Sequence, residues 1–184
     1  KMSYNIIIGK RSFLSSSLAR ISQKSIVLSA NEINKENIKK KVKSLKKINL
    51  IFNNFYPSKK LDTLNHKEYD NFKQLSLQTI IIFFETLNRN QINKIIYTSS
   101  ASVYGLTENM KNPKVDKFNR ELYSSFKLAS EKLILNYASK NKINYYIMRL
   151  YNTYGNKNDE FSFIEKIIKA KQKNKTINLI NNGS

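Results

Sequence analysis

The apolar residues of this chain alternate between two kinds of segment. Short apolar runs have the length of buried strands, whereas longer segments repeat apolar residues every three or four positions, as on one face of a helix. The short runs predict strands at residues 5–9, 25–28, 49–53, 94–99 and 145–150. The longer segments predict helices at residues 13–23, 35–47, 69–90, 121–141 and 160–173. This alternation predicts an α/β fold, a doubly wound parallel sheet with helices on both faces.

Several small or polar residues stand at the carboxyl ends of the predicted strands. Gly9, Asn53 and Ser100 end or follow three of these strands, and the segment 150–152 ends and follows another. Sheets of this class bind ligands in the crevice beyond the carboxyl ends of their strands. The pattern therefore predicts a ligand site at this edge. The region 106–119, which has no clear periodicity, is predicted to be a loop.

The composition fits a globular chain with one substantial core. Its 184 residues are 40% hydrophobic and include no cysteine, which excludes thiolate chemistry and is compatible with a reducing compartment. The longest apolar run, residues 80–84, is much shorter than the ~20 residues that span a bilayer. The amino-terminal residues lack the apolar region of a signal peptide. We therefore expect a cytoplasmic protein without membrane contact.

The net charge of +20 raises the question of nucleic-acid binding. The lysines are spread over the whole chain, however, and the densest cluster, residues 39–47, lies on a predicted helix whose other face is apolar. Such a cluster is typical of a solvated helix face. We therefore do not expect a nucleic-acid partner, although a basic surface would attract an anionic substrate. No group of histidines or carboxylates has the spacing of a metal site, so no metal is expected.

The candidate chemistry lies in two polar segments. The predicted strand 94–99 runs into a group of hydroxyls that includes Ser100, and Tyr123 and Lys127 follow on the helix 121–141. Residues four apart lie on one face of a helix, one turn apart. A free tyrosine ionises near pH ~10, and a nearby cation lowers that pKa because it stabilises the phenolate. Ser100 could then hold a substrate oxygen while Tyr123 exchanges its proton, which is an arrangement for interconverting an alcohol and a ketone.

Three segments carry a resemblance to a known family. They are Thr-Ser-Ser-Ala-Ser-Val-Tyr-Gly at 98–105, Tyr-x-x-x-Lys at 123–127 and Arg-Leu-Tyr-Asn-Thr-Tyr-Gly at 149–155. In this order they resemble the extended short-chain dehydrogenase/reductase group, the NAD-dependent epimerase/dehydratase family that acts on nucleotide sugars. The resemblance implies a Rossmann-like domain and a nucleotide-sugar epimerase or 4-keto-sugar reductase.

The resemblance also implies roles for individual residues. Tyr123 would transfer the proton, Ser100 would polarise the sugar C–O bond, and Lys127 would bind the nicotinamide ribose and lower the pKa of the tyrosine. Ser100, Tyr123 and Asn152 would contact the substrate. The expected contacts to NAD or NADP are Gly9, Ser12, Phe13, Leu14, Asn53, Asn54, Thr98, Tyr123, Lys127 and Leu150.

The cofactor loop departs from the family pattern. Gly-x-x-Gly-x-x-Gly is expected after the first strand, and this chain has Gly9, Ser12 and Ser15. A serine is small enough for close packing but is strained at a positive φ angle. The second strand ends without an acid before Glu32, whereas NAD-preferring members carry one there. With Lys10 and Arg11 in the turn, where cations could meet a 2′-phosphate, this slightly favours NADP over NAD, and both stay open.

Two sequence features bear on which branch of this family the chain resembles. The short stretch 29–47 is similar to the compact reductase branch, such as dTDP-4-dehydrorhamnose reductase. Sugar 4,6-dehydratases carry Thr-Asp-Glu where this chain has Ser100, Ala101 and Ser102. Elimination of water needs those acid and base groups, so the sequence argues against a dehydratase.

The resemblance sets further expectations for the organisation of the chain. Residues 1–155 would form the NAD(P)-binding domain, and 156–184 would begin an incomplete substrate-binding region, so that the sequence looks like a fragment. The helices 69–90 and 121–141 carry apolar residues on more than one face, and the family commonly pairs the equivalent helices in a homodimer.

One alternative to an enzyme stays open. A non-catalytic dinucleotide- or RNA-binding protein could retain this fold, and the degenerate glycine loop and the basic charge would suit it. The intact set of Ser100, Tyr123 and Lys127 argues against that alternative, and a cofactor titration separates the two.

Overall fold

A computed structural model describes residues 3–53, 66–104, 122–151 and 163–176. The strands in these ranges are β1 (Tyr4–Ile8), β2 (Ser25–Leu28), β3 (Ile48–Phe52), β4 (Ile92–Ser100) and β5 (Asn144–Leu150). The α-helices are α1 (Phe13–Ile21), α2 (Lys35–Val42), α3 (His66–Lys73), α4 (Thr79–Thr86), α5 (Leu122–Asn141) and α6 (Phe163–Gln172).

The strands form one parallel sheet in the order β2-β1-β3-β4-β5. From β1 the chain continues to β2, which lies on one side of β1, and then to β3, which lies on the other side of β1. Such a reversal marks the switch point at which a crevice opens beyond the strands. Gly9 follows β1 and Asn53 follows β3, so both lie at this crevice. The predicted Rossmann-like α/β sheet is confirmed.

The centre of the sheet is the centre of the core. β3 is buried along its whole length, as a continuous apolar run predicts for a strand covered on both faces. Phe52 packs edge-on against Phe83 and Phe84 of α4, with ring centroids 5.6 and 6.2 Å apart. Phe84 also stacks on Tyr137 of α5, with centroids 3.7 Å apart. These aromatic contacts connect β3 to α4, and α4 to α5.

The buried stripe of α5 is partly polar. Lys127 and Glu131, one turn apart, are buried on the same side of the helix as Ile134 and Ala138. Charged side chains are rarely buried without partners. α5 therefore carries buried charged side chains on the face that packs against the sheet.

Two predicted helices differ from the observed ones. The predicted helix 35–47 ends at Val42 because Leu45 turns back into the core and the Lys47 carbonyl accepts a hydrogen bond from Tyr4 N at 2.9 Å. The predicted helix 69–90 is α3, a π-helical turn (Gln74–Gln78) and α4. It ends at Thr86, before a short 3-10 turn that Asn88 caps.

The chain divides into two compact units, Lys1–Leu150 and Tyr151–Ser184. The first unit contains the sheet. In the second, α6 has Glu165 in its first turn and Lys169 and Lys171 in its last, the charge order that the helix dipole favours. The predicted domain boundary at residues 155–156 lies outside the described residues and stays a prediction. No helix in the described part of the chain is long and apolar enough to cross a bilayer.

Candidate active site

The end of β4 brings two of the predicted catalytic residues together. Ser100 is the last residue of the strand, and its side chain forms a hydrogen bond with the phenol of Tyr123 at the start of α5. Ser102 donates to Ser100 Oγ through both its hydroxyl, at 2.9 Å, and its backbone N–H, at 3.2 Å. Three hydroxyls, those of Ser102, Ser100 and Tyr123, are thus connected at the carboxyl edge of the sheet.

Lys127 lies one turn further along α5 and is almost fully buried, with 2% of its surface exposed. Its Nζ donates to the backbone oxygen of Thr98 at 2.8 Å and lies 5.1 and 5.6 Å from the ring centroids of Tyr97 and Tyr123. Burial lowers the pKa of Lys127 to about 7, and the carboxylate of Glu131 acts in the opposite direction. Lys127 therefore loses its proton far more readily than an exposed lysine does.

The pKa of Tyr123 differs from the sequence-based expectation. Burial raises the pKa of this phenol, and the hydrogen bond with Ser100 only partly lowers it. The expectation that Lys127 lowers it is wrong for the chain by itself. The physical reason is that Nζ lies against the ring face and bonds to Thr98, while the phenol loses hydration. The resting form of Tyr123 is the neutral phenol, a proton donor.

A partly buried ion pair lies next to this region. Arg149 of β5 binds Glu131 through two hydrogen bonds, Nε to Oε1 at 3.1 Å and Nη2 to Oε2 at 2.8 Å. Ser99 Oγ also donates to Glu131 Oε1, and the Arg149 guanidinium lies 4.7 Å from the ring centroid of Tyr104. The Glu131 carboxylate raises the pKa of Arg149. Through these contacts Glu131 connects α5 to β4 at Ser99, next to Ser100, and to β5 at Arg149.

The turn after β1 has two features that suit a phosphate, a glycine at a positive φ angle and an uncapped helix start. Gly9 has a φ angle of 117°, which a residue with a Cβ adopts only with strain. Ser12, immediately before α1, does not cap the helix with its side chain, and α1 has no acid in its first turn. The N–H groups at the amino end of such a helix suit a phosphate. The residues of this turn therefore fit a cofactor pyrophosphate.

Asn53 connects this turn to the sheet. Its Nδ2 donates to Ser15 Oγ at 2.7 Å and to Ser12 Oγ at 3.3 Å. Its Oδ1 accepts from Thr98 Oγ1 at 2.9 Å. The serines that replace two family glycines thus serve as acceptors for one buried amide.

The end of β2 has an acidic side chain close to it. A 3-10 turn, Ala30–Glu32, brings the Glu32 carboxylate back to the end of the strand, where Oε2 accepts from both Ser29 N and Ser29 Oγ at 2.9 Å. These hydrogen bonds lower the pKa of Glu32, and Lys10 and Lys41 lower it further. The Glu32 carboxylate therefore lies at the end of β2. This weakens the argument that the absence of an acid there favours NADP, and the cofactor preference stays a prediction.

The structure places the remaining predicted residues as follows. Leu150 pairs with Ser100 at the ends of β5 and β4. Thr98 is buried, and its hydroxyl is occupied by Asn53. Phe13 is 44% exposed and Leu14 is half-buried at the start of α1. Asn54 and Asn152 lie outside the described residues, as does the predicted loop 106–119. The binding roles of all of these residues stay predictions.

Sequence reasoning gave no role to three residues of this region: Glu32, Glu131 and Arg149. Glu131 was within reach, because it stands four residues after Lys127 and therefore on the same face of the helix. Arg149 lies within the third resemblance segment, and its contact depends on the pairing of Ser99 with Arg149 across β4 and β5. The described residues contain no group of three or more histidines, aspartates or glutamates that could hold a metal ion.

Comparison with protein families identifies the chain. A model of the NAD dependent epimerase/dehydratase family matches residues 5–184. The chain belongs to this family. A search of curated protein sequences gave no match.

Solved structures share the fold at low identity. A UDP-glucose 4-epimerase from Thermotoga maritima, solved with UDP-glucose, has a TM-score of 0.75 and 13% identity over 99% of this chain and 67% of its own. A UDP-N-acetylglucosamine 4-epimerase from Methanobrevibacter ruminantium has a TM-score of 0.67 and 17% identity over 96% of this chain and 64% of its own. A GDP-mannoheptose C4 reductase from Campylobacter jejuni, solved with NADP, has a TM-score of 0.70 and 16% identity over 91% of this chain and 54% of its own.

The chain is shorter than these proteins. It spans between 50% and 67% of the lengths of the solved proteins that it resembles. The identities are too low to transfer a substrate, so the likeness shows the fold.

Proposed function

We propose that this chain provides the cofactor-binding and proton-transfer part of a nucleotide-sugar epimerase or 4-keto-sugar reductase. The observation that carries the proposal is the hydrogen bond between Ser100 and Tyr123 with Lys127 Nζ beside the same ring. A fold alone does not require a hydroxyl, a phenol and an amine to meet at a ligand-binding edge. The non-catalytic alternative is not favoured, because it has no use for that arrangement.

The chemistry of the proposal follows from the protonation of Tyr123. Its raised pKa keeps the phenol protonated, so it can give its proton to a ketone oxygen as that oxygen becomes an alcohol. Ser100 would hydrogen-bond to the same oxygen and fix it within reach of the phenol. In the opposite direction Tyr123 would have to be ionised, and its phenolate would accept the proton of the alcohol. The Ser102–Ser100 hydrogen bond at 2.9 Å would keep the Ser100 hydroxyl oriented in both directions.

The proposed cofactor is NAD or NADP, which when bound supplies or accepts the hydride. The amino end of α1 and Gly9 would hold its pyrophosphate, and Lys127 would hold the nicotinamide ribose. Glu32 at the end of β2 would face the adenosine ribose. Support comes from the geometry of the turn, from the family's dependence on NAD and from solved neighbours that contain NAD or NADPH.

The substrate class of the proposal is a nucleotide sugar, as in the neighbours solved with UDP-sugars. An epimerase and a ketoreductase both use a proton-transfer residue and a hydride carrier, and the described residues suit either. The absence of carboxyl groups at Ala101 and Ser102 argues against a 4,6-dehydratase.

We also propose a homodimer through α4 and α5, together with α3. Support comes from exposed apolar side chains on these helices: Tyr69 is 39% exposed and Leu135 is 41% exposed. Ile82 and Leu133 are partly buried against the core, so the available apolar surface is smaller than the sequence predicts. Sedimentation at micromolar concentration should show a dimer that Leu135→Glu dissociates. A monomeric wild type would exclude it.

The proposal is tested by binding followed by turnover. Calorimetric titration with NAD⁺ and NADPH should show saturable binding of at least one of them. The full-length protein should then be screened with UDP-, GDP- and dTDP-sugars, with epimers detected by NMR and reduction of 4-keto sugars by cofactor oxidation. Absence of both cofactor binding and turnover would exclude the proposed function.

A further inference from the structure

The two serines of the cofactor turn are bound to one buried side chain. Ser15 is fully buried and Asn53 is 1% exposed. The Asn53 Nδ2 donates to Ser15 Oγ at 2.7 Å and to Ser12 Oγ at 3.3 Å. Glycines at these positions would offer no hydroxyl, and the amide would be buried with unsatisfied donors. Asn53 and the two serines therefore form a matched set.

The opposite end of the same amide contacts the strand that carries the catalytic groups. Asn53 Oδ1 accepts from Thr98 Oγ1 at 2.9 Å, and the backbone oxygen of Thr98 accepts from Lys127 Nζ at 2.8 Å. The backbone N–H of Asn53 also donates to Ile8 O at 2.9 Å, immediately before Gly9. One residue thus links the first turn of α1, the end of β1 and the anchor of Lys127.

We infer that Asn53 is a positioning residue, which fixes the distance between the amino end of α1 and Lys127 and so sets the affinity for a dinucleotide. The inference rests on the proposed function, in which the pyrophosphate lies at α1 and the nicotinamide ribose lies at Lys127. A ligand that bridges two anchors binds tightly only when their separation is fixed before it arrives. Asn53 acts through Ser12, Ser15 and Thr98, because its amide is already committed to them.

The chain offers a matched control on the same strand. Asn49, at the amino end of β3, donates through Nδ2 to Asn5 Oδ1 at 2.7 Å and to Ser3 Oγ at 3.0 Å. Its Oδ1 accepts from Asn93 Nδ2 at 2.8 Å. Asn49 is 9% exposed. Replacing it removes the same number of side-chain hydrogen bonds, three, at the end of the sheet remote from the cofactor turn.

The test compares Asn53→Ala with Asn49→Ala in the purified protein. Calorimetry gives the Kd for NAD⁺ and for NADPH, and urea unfolding gives the stability of each variant. We expect both variants to lose stability, whereas only Asn53→Ala should raise the Kd, by about tenfold or more. If Asn53 served stability alone, Asn53→Ala would lose stability and keep the wild-type Kd, as is expected of Asn49→Ala.

Ser15→Ala provides a second route to the same test, because it removes the nearer acceptor and keeps the fold of the turn. It should raise the Kd in the same direction as Asn53→Ala, and it should add little in the Asn53→Ala background, because coupled residues are not additive. Wild-type affinity in both Asn53→Ala and Ser15→Ala would overturn the inference alone. Failure of the wild type to bind either cofactor would overturn the proposed function and the inference with it.

Discussion

Arg149 binds both carboxylate oxygens of Glu131, and only 5% of the glutamate side chain is exposed. Glu131 stands one turn after Lys127 on α5. Burial lowers the pKa of Lys127, and the negative charge of Glu131 raises it. The ion pair therefore has two effects. It joins α5 to β5, and it keeps a negative charge close to an amine that would otherwise lose its proton more readily.

Removing Glu131 should be costly to stability. Glu131→Ala leaves the partly exposed Arg149 without its partner and Ser99 without its acceptor, and losing such charge-assisted hydrogen bonds costs about 1–3 kcal/mol. The control is Glu85→Ala, because Glu85 pairs with Lys35 at the same 2.8 Å but with both side chains more than half exposed. An exposed pair is worth about 0–1 kcal/mol. Urea unfolding of both variants measures the difference, and equal losses would contradict the account.

Stability should rise with pH in the window set by Lys127. The folded pKa is about 7, below the value of 10.5 expected in the unfolded chain, so the unfolded state binds more protons between these values. The free energy of unfolding should therefore increase from about pH 7 towards pH 10. Below pH 7 Lys127 is protonated in both states and should add no further change with pH. Lys127→Met should remove that part of the slope. An identical pH dependence in the wild type and in Lys127→Met would contradict the low pKa.

The residue after α5 should be open to stabilisation. Lys142 has a φ angle of 52°, and the bond from Ile143 N to Ala138 O at 2.9 Å closes the helix around it. Glycine is the usual residue in this left-handed position, so Lys142→Gly should stabilise the protein by about 1 kcal/mol. Lys132→Gly, at an exposed position in the middle of α5, should destabilise it by about 1 kcal/mol. Thermal unfolding distinguishes the two, and a loss of stability in Lys142→Gly would exclude this interpretation.

Cofactor preference should depend on Glu32. A carboxylate beside the adenosine ribose accepts a hydrogen bond from a 2′-hydroxyl and repels a 2′-phosphate, so we expect NAD to bind more tightly than NADP. Glu32→Gln should shift the ratio of the two Kd values towards NADP by about tenfold, or about 1.4 kcal/mol. Glu36→Gln removes an exposed charge four residues away and should leave the ratio unchanged. A wild-type preference for NADP would show that Glu32 does not face the ribose.

The fold was predictable because each strand is a compact apolar run. β3, buried along its whole length, gives the clearest such signal, and α5 begins within one residue of its predicted start. The meeting of Ser100 with Tyr123 followed from one strand end and one helix face. These features depend on local periodicity, which a sequence shows directly.

The features that sequence reasoning missed depend on contacts between distant segments. Arg149 reaches Glu131 only through the pairing of β4 with β5, and Glu32 returns to Ser29 only through a short turn. The direction of the Tyr123 pKa depends on burial, which spacing along a helix does not reveal. The role of Ser15 needed its contact with Asn53, 38 residues away along the chain.

The most direct test of the catalytic assignment is the turnover of Tyr123→Phe in the full-length protein, on a nucleotide sugar that the wild type converts. This change removes only the phenolic oxygen that bonds to Ser100, so folding and cofactor binding should persist. Tyr137→Phe makes the same change further along α5 and serves as the control. We predict that kcat falls by about 10²–10⁴-fold in Tyr123→Phe and is unchanged in Tyr137→Phe. Equal turnover by Tyr123→Phe and the wild type would contradict the assignment of proton transfer to Tyr123.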